Sequence, residues 1–172
     1  DQWVYVEDIS LDYAFAQSVL FKIAGGSIQE TGHKTKGHAC LTDGDKYISK
    51  LPEAKGSLLY GELLPRGANK AFGSTHLNAA DAKVLFDLGM GTGKVAIQAF
   101  LQFRNLEYVY GVELSEGRFK VAEEYVRRMV QLLGSELYTI DTLDHGLVVL
   151  KIIQRQVLLR MELFCSRESV MY

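Results

Sequence analysis

The chain has 172 residues, 48% of them hydrophobic and 23% charged, with a formal net charge of −2. That length reads as one domain around a single core, and the composition is ordinary for a globular protein. Charges of both signs are spread evenly along the chain, so no basic tail marks a nucleic-acid binder, and no apolar run approaches the roughly 20 residues of a membrane span.

The first predicted element is a helix over residues 9–25. Ile9, Tyr13, Phe15, Ala16, Val19, Leu20 and Ile23 supply its apolar positions, and Gly25-Gly26 stops it. Residues 26–50 are polar and rich in turn formers and read as loop. Within them, His33, His38 and Cys40, with Asp43 and Asp45 nearby, match no standard zinc spacing, so no metal is expected. Lys34, Lys36, Lys46 and Lys50 read as solvated loop charges. Cys40 and Cys165 lie far apart in sequence, which suits reduced thiols, with one long-range disulfide as the alternative. Residues 60–75 are broken by Pro65 and Gly67, with helix expected after the proline, and residues 77–83 read as short helix or loop.

The second half is more regular. Val84-Leu85-Phe86-Asp87-Leu88 is an apolar run ending in glycines, the pattern of a strand buried on both faces. Val95, Ala96, Ala99, Phe100 and Phe103 follow at helical spacing. Residues 108–114 (YVYGVEL) read as a second buried strand, with Ser115 as the N-cap of a long helix. Phe119, Ala122, Val126, Met129, Val130 and Leu133 line that helix, and Gly134 ends it. Strand, glycine loop, helix, strand, helix is a βαβ unit, which predicts a parallel sheet. Two further apolar runs lie within residues 147–165. LVVLKII is compatible with helix or strand, and VLLRMELF reads as strand. Asp141, Asp144 and His145 suggest acid/base chemistry, but no nucleophile accompanies them.

The stretch DLGMGTGK, Asp87 to Lys94, carries the chemistry. A loop from a strand into a helix N-terminus presents free backbone N–H groups, and glycines let a ligand lie against the backbone. A phosphate-cradling P-loop is a poor match, because Leu88 occupies its first glycine position and Val95 its Ser/Thr position. A dinucleotide fingerprint stays open if Gly91, Gly93 and Ala96 fill its three positions. A third reading fits better. An acid directly before G-x-G-x-G, then a second strand ending in an acid, resembles motifs I and II of class I S-adenosylmethionine-dependent methyltransferases. S-adenosylmethionine has no phosphates to wrap. Its ribose diol suits a carboxylate at a strand tip, and Glu113 lies about 20 residues after Gly93.

The sequence also resembles one family within that class, the disruptor-of-telomeric-silencing histone-lysine methyltransferases. Leu59 to Gly67 reads LYGELLPRG, and the family's Tyr-Gly-Glu loop before motif I matches Tyr60, Gly61 and Glu62. Its motif I, roughly DLGSGVGQ, matches Asp87 to Lys94, with Lys94 in place of Gln and Gln98 in the following helix. Its motif II, YGVE, matches Tyr110 to Glu113. A later Gly-Asp-Phe stretch that contacts adenine has a weaker counterpart in Met161-Glu162-Leu163-Phe164. The resemblance covers residues 59–126 well, 155–168 weakly and 1–55 not at all.

The resemblance implies a Rossmann-like, doubly wound α/β sheet, with residues 1–55 as an N-terminal helical and loop region and 56–172 as the cofactor-binding domain. Gly89, Gly91 and Gly93 with Asp87 would form the cofactor floor. Glu113 would hold the ribose, Tyr60 and Glu62 would close over the methionine end, and Glu162 would lie near the adenine. It further implies S-adenosylhomocysteine as product, a histone or other protein substrate, contact with nucleosomes through the Lys34–Lys50 region, and a nuclear address. No catalytic residue is assigned. The family's asparagine pair is missing, and a complete fold has seven strands where this sequence supplies three or four. The chain, which begins at Asp1 rather than Met, therefore reads as incomplete. The competing functions are an inactive methyltransferase-like binding module and a nicotinamide-dependent oxidoreductase.

Overall fold

The computed structural model describes residues 11–26, 35–50, 60–133, 138–143, 147–154 and 157–165, the last three segments by backbone and pairing. Ile9, His33, Lys34, Gly134, Asp144 and His145 lie outside the described residues. No helix among the described residues is long and apolar enough to cross a membrane.

The first helix, α1, spans Leu11–Ile23. Ala16, Val19, Leu20 and Ile23 are its buried face, the spacing expected of a helix with one side against a core. Phe15 and Phe21 are exposed instead. Residues 26–50 are not all loop, which corrects the sequence reading. Two short helices, α2 (Lys36–Ala39) and α3 (Asp43–Ile48), occupy part of them. The signal for α3 was a capping box. Thr42 Oγ1 accepts from Asp45 N at 3.2 Å, and Asp45 Oδ2 accepts from Thr42 N at 2.8 Å. The Thr-x-x-Asp spacing hides in a stretch whose glycines suggest a turn.

Helix α4, Pro65–Phe72, starts with its proline at a position where a missing N–H costs nothing. Strand β1 (Val84–Leu88), helix α5 (Lys94–Gln102), strand β2 (Tyr108–Glu113) and helix α6 (Glu116–Leu133) follow the expected order. β1 and β2 pair in parallel, Val84 with Tyr108 through Leu88 with Val112. Ser115 Oγ accepts from Arg118 N at 3.2 Å, capping α6. Phe119, Ala122, Tyr125, Val126 and Met129 form the buried stripe of α6.

Three more strands complete a five-stranded sheet of order β1-β2-β5-β4-β3. They are β3 (Tyr138–Leu143), which the apolar pattern did not announce, β4 (Leu147–Gln154) and β5 (Val157–Cys165). β5 runs parallel to β2, while β4 is antiparallel to both of its neighbours. The sheet is therefore mixed. Its parallel part is β1-β2-β5, and a full doubly wound sheet is not present among the described residues.

The core lies on one face of β1 and β2. α5 is buried nearly all round, packed against the sheet, α1 and α4. Gln98 and Gln102 sit inside this packing. Gln98 Nε2 donates to the Pro65 carbonyl at 3.0 Å and to Gln102 Oε1 at 3.3 Å, and Gln102 Nε2 donates to Asn69 Oδ1 at 2.5 Å. This polar chain fixes α4 on α5, and so fixes the loop that precedes α4. The opposite face of β1 is open, with Val84, Phe86 and Leu88 all exposed, which corrects the expectation of a strand buried on both faces.

Candidate functional site

The site forms where β1 and β2 end. Gly89, Gly91 and Gly93 have φ of 83°, 58° and 77°. All three lie in the left-handed region that side chains disfavour, which is why this loop needs glycine at alternate positions. Gly89 N and Met90 N both donate to the Val112 carbonyl, at 2.8 and 2.9 Å. The loop is thus stitched to the end of the neighbouring strand before it enters α5 at Gly93.

Glu113 closes the same joint. Its Oε2 accepts from Gly91 N at 2.8 Å and its Oε1 from Ser115 N at 2.7 Å. The Arg118 guanidinium stands 4.0 Å from Oε1. Glu113 is 5% exposed. The sequence placed Glu113 beside the glycine loop, and the structure joins the two by a hydrogen bond.

Tyr60 and Glu62 fold onto the loop from the other side. The Tyr60 hydroxyl donates to Glu62 Oε1 at 2.6 Å and lies 3.4 Å from Thr92 Oγ1, which donates to the same oxygen at 3.3 Å. A Cβ on Gly91 would stand 2.5 Å from the Tyr60 ring. Gly91 therefore serves a close approach as well as a turn. Burial, then the hydrogen bond to Glu62, raises the Tyr60 pKa far above its ordinary value, so the phenol stays protonated.

Lys94 is the residue that sequence reading undervalued. Read as a mere replacement for glutamine, it is a nearly buried ammonium. Its Nζ lies 2.7 Å from Glu62 Oε2, and the two side chains are 10% and 8% exposed. Asp87 completes the constellation. Burial pushes its carboxyl up to about 6; the Ala96 backbone N–H pulls it down, and the nearby Glu113 charge pushes it up again. Its Oδ2 is buried with no hydrogen-bond partner. Tyr60, Glu62, Asp87, Met90, Thr92 and Lys94 line a cavity of about 160 Å³.

The N-terminal segment reaches this joint too. Asp45 accepts from Glu116 N at 2.8 Å and from Gly117 N at 3.0 Å, placing a carboxylate on the N-terminus of α6. Burial alone would raise its pKa. The donors from Thr42, Gly117 and Glu116 outweigh that and hold it below the ordinary carboxylate value. Arg118 is buried, donates through Nε to the Gly37 carbonyl at 3.0 Å, and stacks 4.2 Å above the Tyr60 ring. His38 meets the same ring edge-on at 5.1 Å. His38 and Asp45, two of the residues considered as metal ligands on sequence grounds, are thus engaged with protein groups. Among the described residues no cluster of His, Cys, Asp and Glu could hold a metal ion. Lys36 lies 5.5 Å over the Tyr125 ring, and Lys46 pairs with Asp43 on the surface.

Glu162 is the one proposed site residue that the structure sets apart. It pairs with Tyr110 in mid-strand, whereas Glu113 pairs with Cys165 at the tip of β5.

The donor set can be tested against a nucleoside bearing an amino-acid tail. The cavity offers a partnerless carboxylate oxygen and a buried ammonium, which suit the charged tail. A strand-tip carboxylate beside a glycine loop suits a ribose diol. At about 160 Å³ the open space holds the tail alone, since whole-ligand pockets start near 300 Å³. Glu113 is buried, with the Arg118 guanidinium 4.0 Å away, and does not line that space. The cavity residues fit the charged tail of such a group.

No curated protein matched the chain. A family model did, over residues 50–162, described as the histone methylation protein DOT1. That span holds the Tyr60 loop, the glycine loop and Glu113, and covers most of the chain. The chain belongs to the DOT1 family of histone methylation proteins.

Proposed function

We propose that the chain binds S-adenosylmethionine at the joint between β1 and β2 and serves methyl transfer to a lysine of a histone. The observation that carries this reading is the carboxylate bridge. Glu113 is tied to Gly91 of the loop and to Ser115 at the head of α6, so one acid stands where a ribose diol would meet the loop.

When bound, the cofactor supplies an electrophilic methyl on a sulfonium, taken by a neutral amine in line with the leaving sulfur. The chain's own residues supply alignment, which contributes much of the rate of such a transfer. Glu113 accepts from the ribose hydroxyls. Gly89, whose Cβ position is open, lets the ligand approach the backbone, while Gly91 and Gly93 shape the turn that forms the floor. Asp87, Glu62 and Tyr60 hold the amino-acid tail, and S-adenosylhomocysteine leaves as product. In this reading residues 56–172 form the cofactor-binding unit, residues 1–55 flank it, the substrate is nucleosomal and the protein works in the nucleus.

The test is calorimetric titration with S-adenosylhomocysteine, with NAD as control. Micromolar binding of the first and none of the second is expected, with binding lost in Gly91→Arg while circular dichroism stays native. Binding of NAD alone would overturn the reading in favour of an oxidoreductase. Methylation of nucleosomes by the binding-competent protein then separates an enzyme from an inactive binding module.

A further inference from the structure

Glu113 stands at the tip of β2 but is closed off. It is 5% exposed and does not line the cavity beside β1. Its oxygens accept from Gly91 N and Ser115 N, and the Arg118 guanidinium stands 4.0 Å from Oε1. A carboxylate accepts about four hydrogen bonds, so a diol needs room that the guanidinium takes up beside Oε1. Arg118 is itself buried. It lies 4.2 Å over the Tyr60 ring and is fastened through Nε to the Gly37 carbonyl at 3.0 Å.

The segment that fastens Arg118 is also clamped to the head of α6. Asp45 accepts from Glu116 N and Gly117 N. Gly117 lies so close to the Cys40 carbonyl that a Cβ would run into it. The Tyr60 ring sits between Gly37 and Gly91, and a Cβ on either glycine would run into the ring. We propose that this clasp is an autoinhibitory contact: residues 35–48 hold Arg118 against Glu113, and the adenosyl ligand reaches Glu113 only when the clasp has left the head of α6. This inference rests on the adenosyl-ligand reading above. The closed state lowers the apparent affinity in proportion to the fraction of molecules that are open. Whatever loosens the clasp raises the affinity, and bound ligand loosens the clasp in return.

Limited trypsin digestion and calorimetric titration with S-adenosylhomocysteine read the two sides of that linkage. Lys46 lies on α3, with its side chain 61% exposed, and cleavage of the backbone after it requires local opening. Saturating S-adenosylhomocysteine should speed this cleavage in the unmodified chain by about fivefold or more, and NAD should not. Gly117→Ala and Asp45→Asn loosen the clasp, and neither residue lines the cavity. Both variants should bind S-adenosylhomocysteine about fivefold or more tighter than the unmodified chain. For Asp45→Asn that factor is the worth of trading charged hydrogen bonds for a neutral one. Gly44→Ala is the matched control. Its added Cβ meets Thr42 Oγ1 at 3.6 Å and Glu116 Oε2 at 3.8 Å, ordinary contact, and it should leave both readings unchanged.

Cleavage that slows or stays the same while S-adenosylhomocysteine is bound would overturn the proposal and make the clasp a support of the site. So would variants with native circular dichroism that bind no tighter than the unmodified chain. Should Gly117→Ala fail to fold, Asp45→Asn and the digestion of the unmodified chain decide alone. Binding by the variants and none by the unmodified chain would bear the proposal out, as a clasp that stays shut. Binding by none of them would overturn the adenosyl reading and the proposal with it, so the two failures are distinguishable.

Discussion

Replacing Asp87 with asparagine should make the ligand-free protein more stable at neutral pH and leave it unchanged in acid. Asp87 has its carboxyl raised to about 6, against about 3.9 for an ordinary aspartate. Below about 3.9, folded and unfolded chains both carry the proton and no linked cost exists. Between about 3.9 and 6 the unfolded chain releases the proton while the folded chain keeps it, so stability falls as pH rises. Above about 6 the full cost is present. The gap of about 2 in pKa sets that cost at no more than about 3 kcal/mol. Asp87 keeps some contact with solvent, and screening brings the expected value to about 1–2 kcal/mol. The asparagine side chain has no proton to lose, keeps an oxygen for the Ala96 N–H, and so escapes the cost. The assay is urea unfolding of both proteins from about pH 4 to about pH 8, a range that spans the ordinary and the raised value. Other titrating groups are common to both and cancel in the difference. A stability difference that stays flat across that range would refute the assignment of a buried carboxylate with one partnerless oxygen.

Glu113→Ala leaves the N–H groups of Gly91 and Ser115 without their acceptor inside the fold, so a loss of about 2–4 kcal/mol is expected in denaturant unfolding even without ligand. Gly117→Ala drives a Cβ into the Cys40 carbonyl oxygen, and should cost about 1–3 kcal/mol with faster tryptic cleavage at Lys46. Gly61, whose added Cβ meets nothing within 4 Å, is the matched position where alanine should change little. Asp45 is held below its ordinary pKa, so the stability it confers is present at neutral pH and lost as pH falls. Asp45→Asn should flatten the acid limb of the unfolding profile, and an unaltered limb would assign that loss to other groups.

The parts of the fold legible in the sequence were those governed by local pattern. β1 and β2 are short apolar runs, α5 and α6 carry apolar residues at helical spacing, and the three glycines mark the turn between strand and helix. Glu113 could be placed because parallel strands joined by one helix must end side by side. What stayed hidden depends on contacts between distant residues. Asp45 on α6, Arg118 on the Gly37 carbonyl and Lys94 on Glu62 each join segments at least thirty residues apart. No periodicity encodes such pairings. β3 was hidden because the alternation of apolar and polar residues from Tyr138 lasts only to Asp141, where Thr142 breaks it. Phe15 was placed in a core stripe on hydrophobicity alone, though α1 buries only the positions that face α5 and α6.

The uncovered side of the sheet bears on how the protein behaves in solution. Phe86 is 63% exposed and Leu88 77% exposed. Phe86 stacks on Tyr110 at 4.7 Å, and Tyr110 on Tyr108 at 6.1 Å, forming a ladder of rings across β1 and β2. Among the described residues β1 has a ladder partner on one side only. A bare aromatic surface next to an unpaired strand edge drives self-association. Sedimentation of the isolated chain should therefore depend on concentration, and calorimetric titrations belong at the dilute end of that range. Solubility is best improved at Phe86 and Leu88, whose exposed side chains can be made polar without disturbing the loop, Glu113 or Lys94.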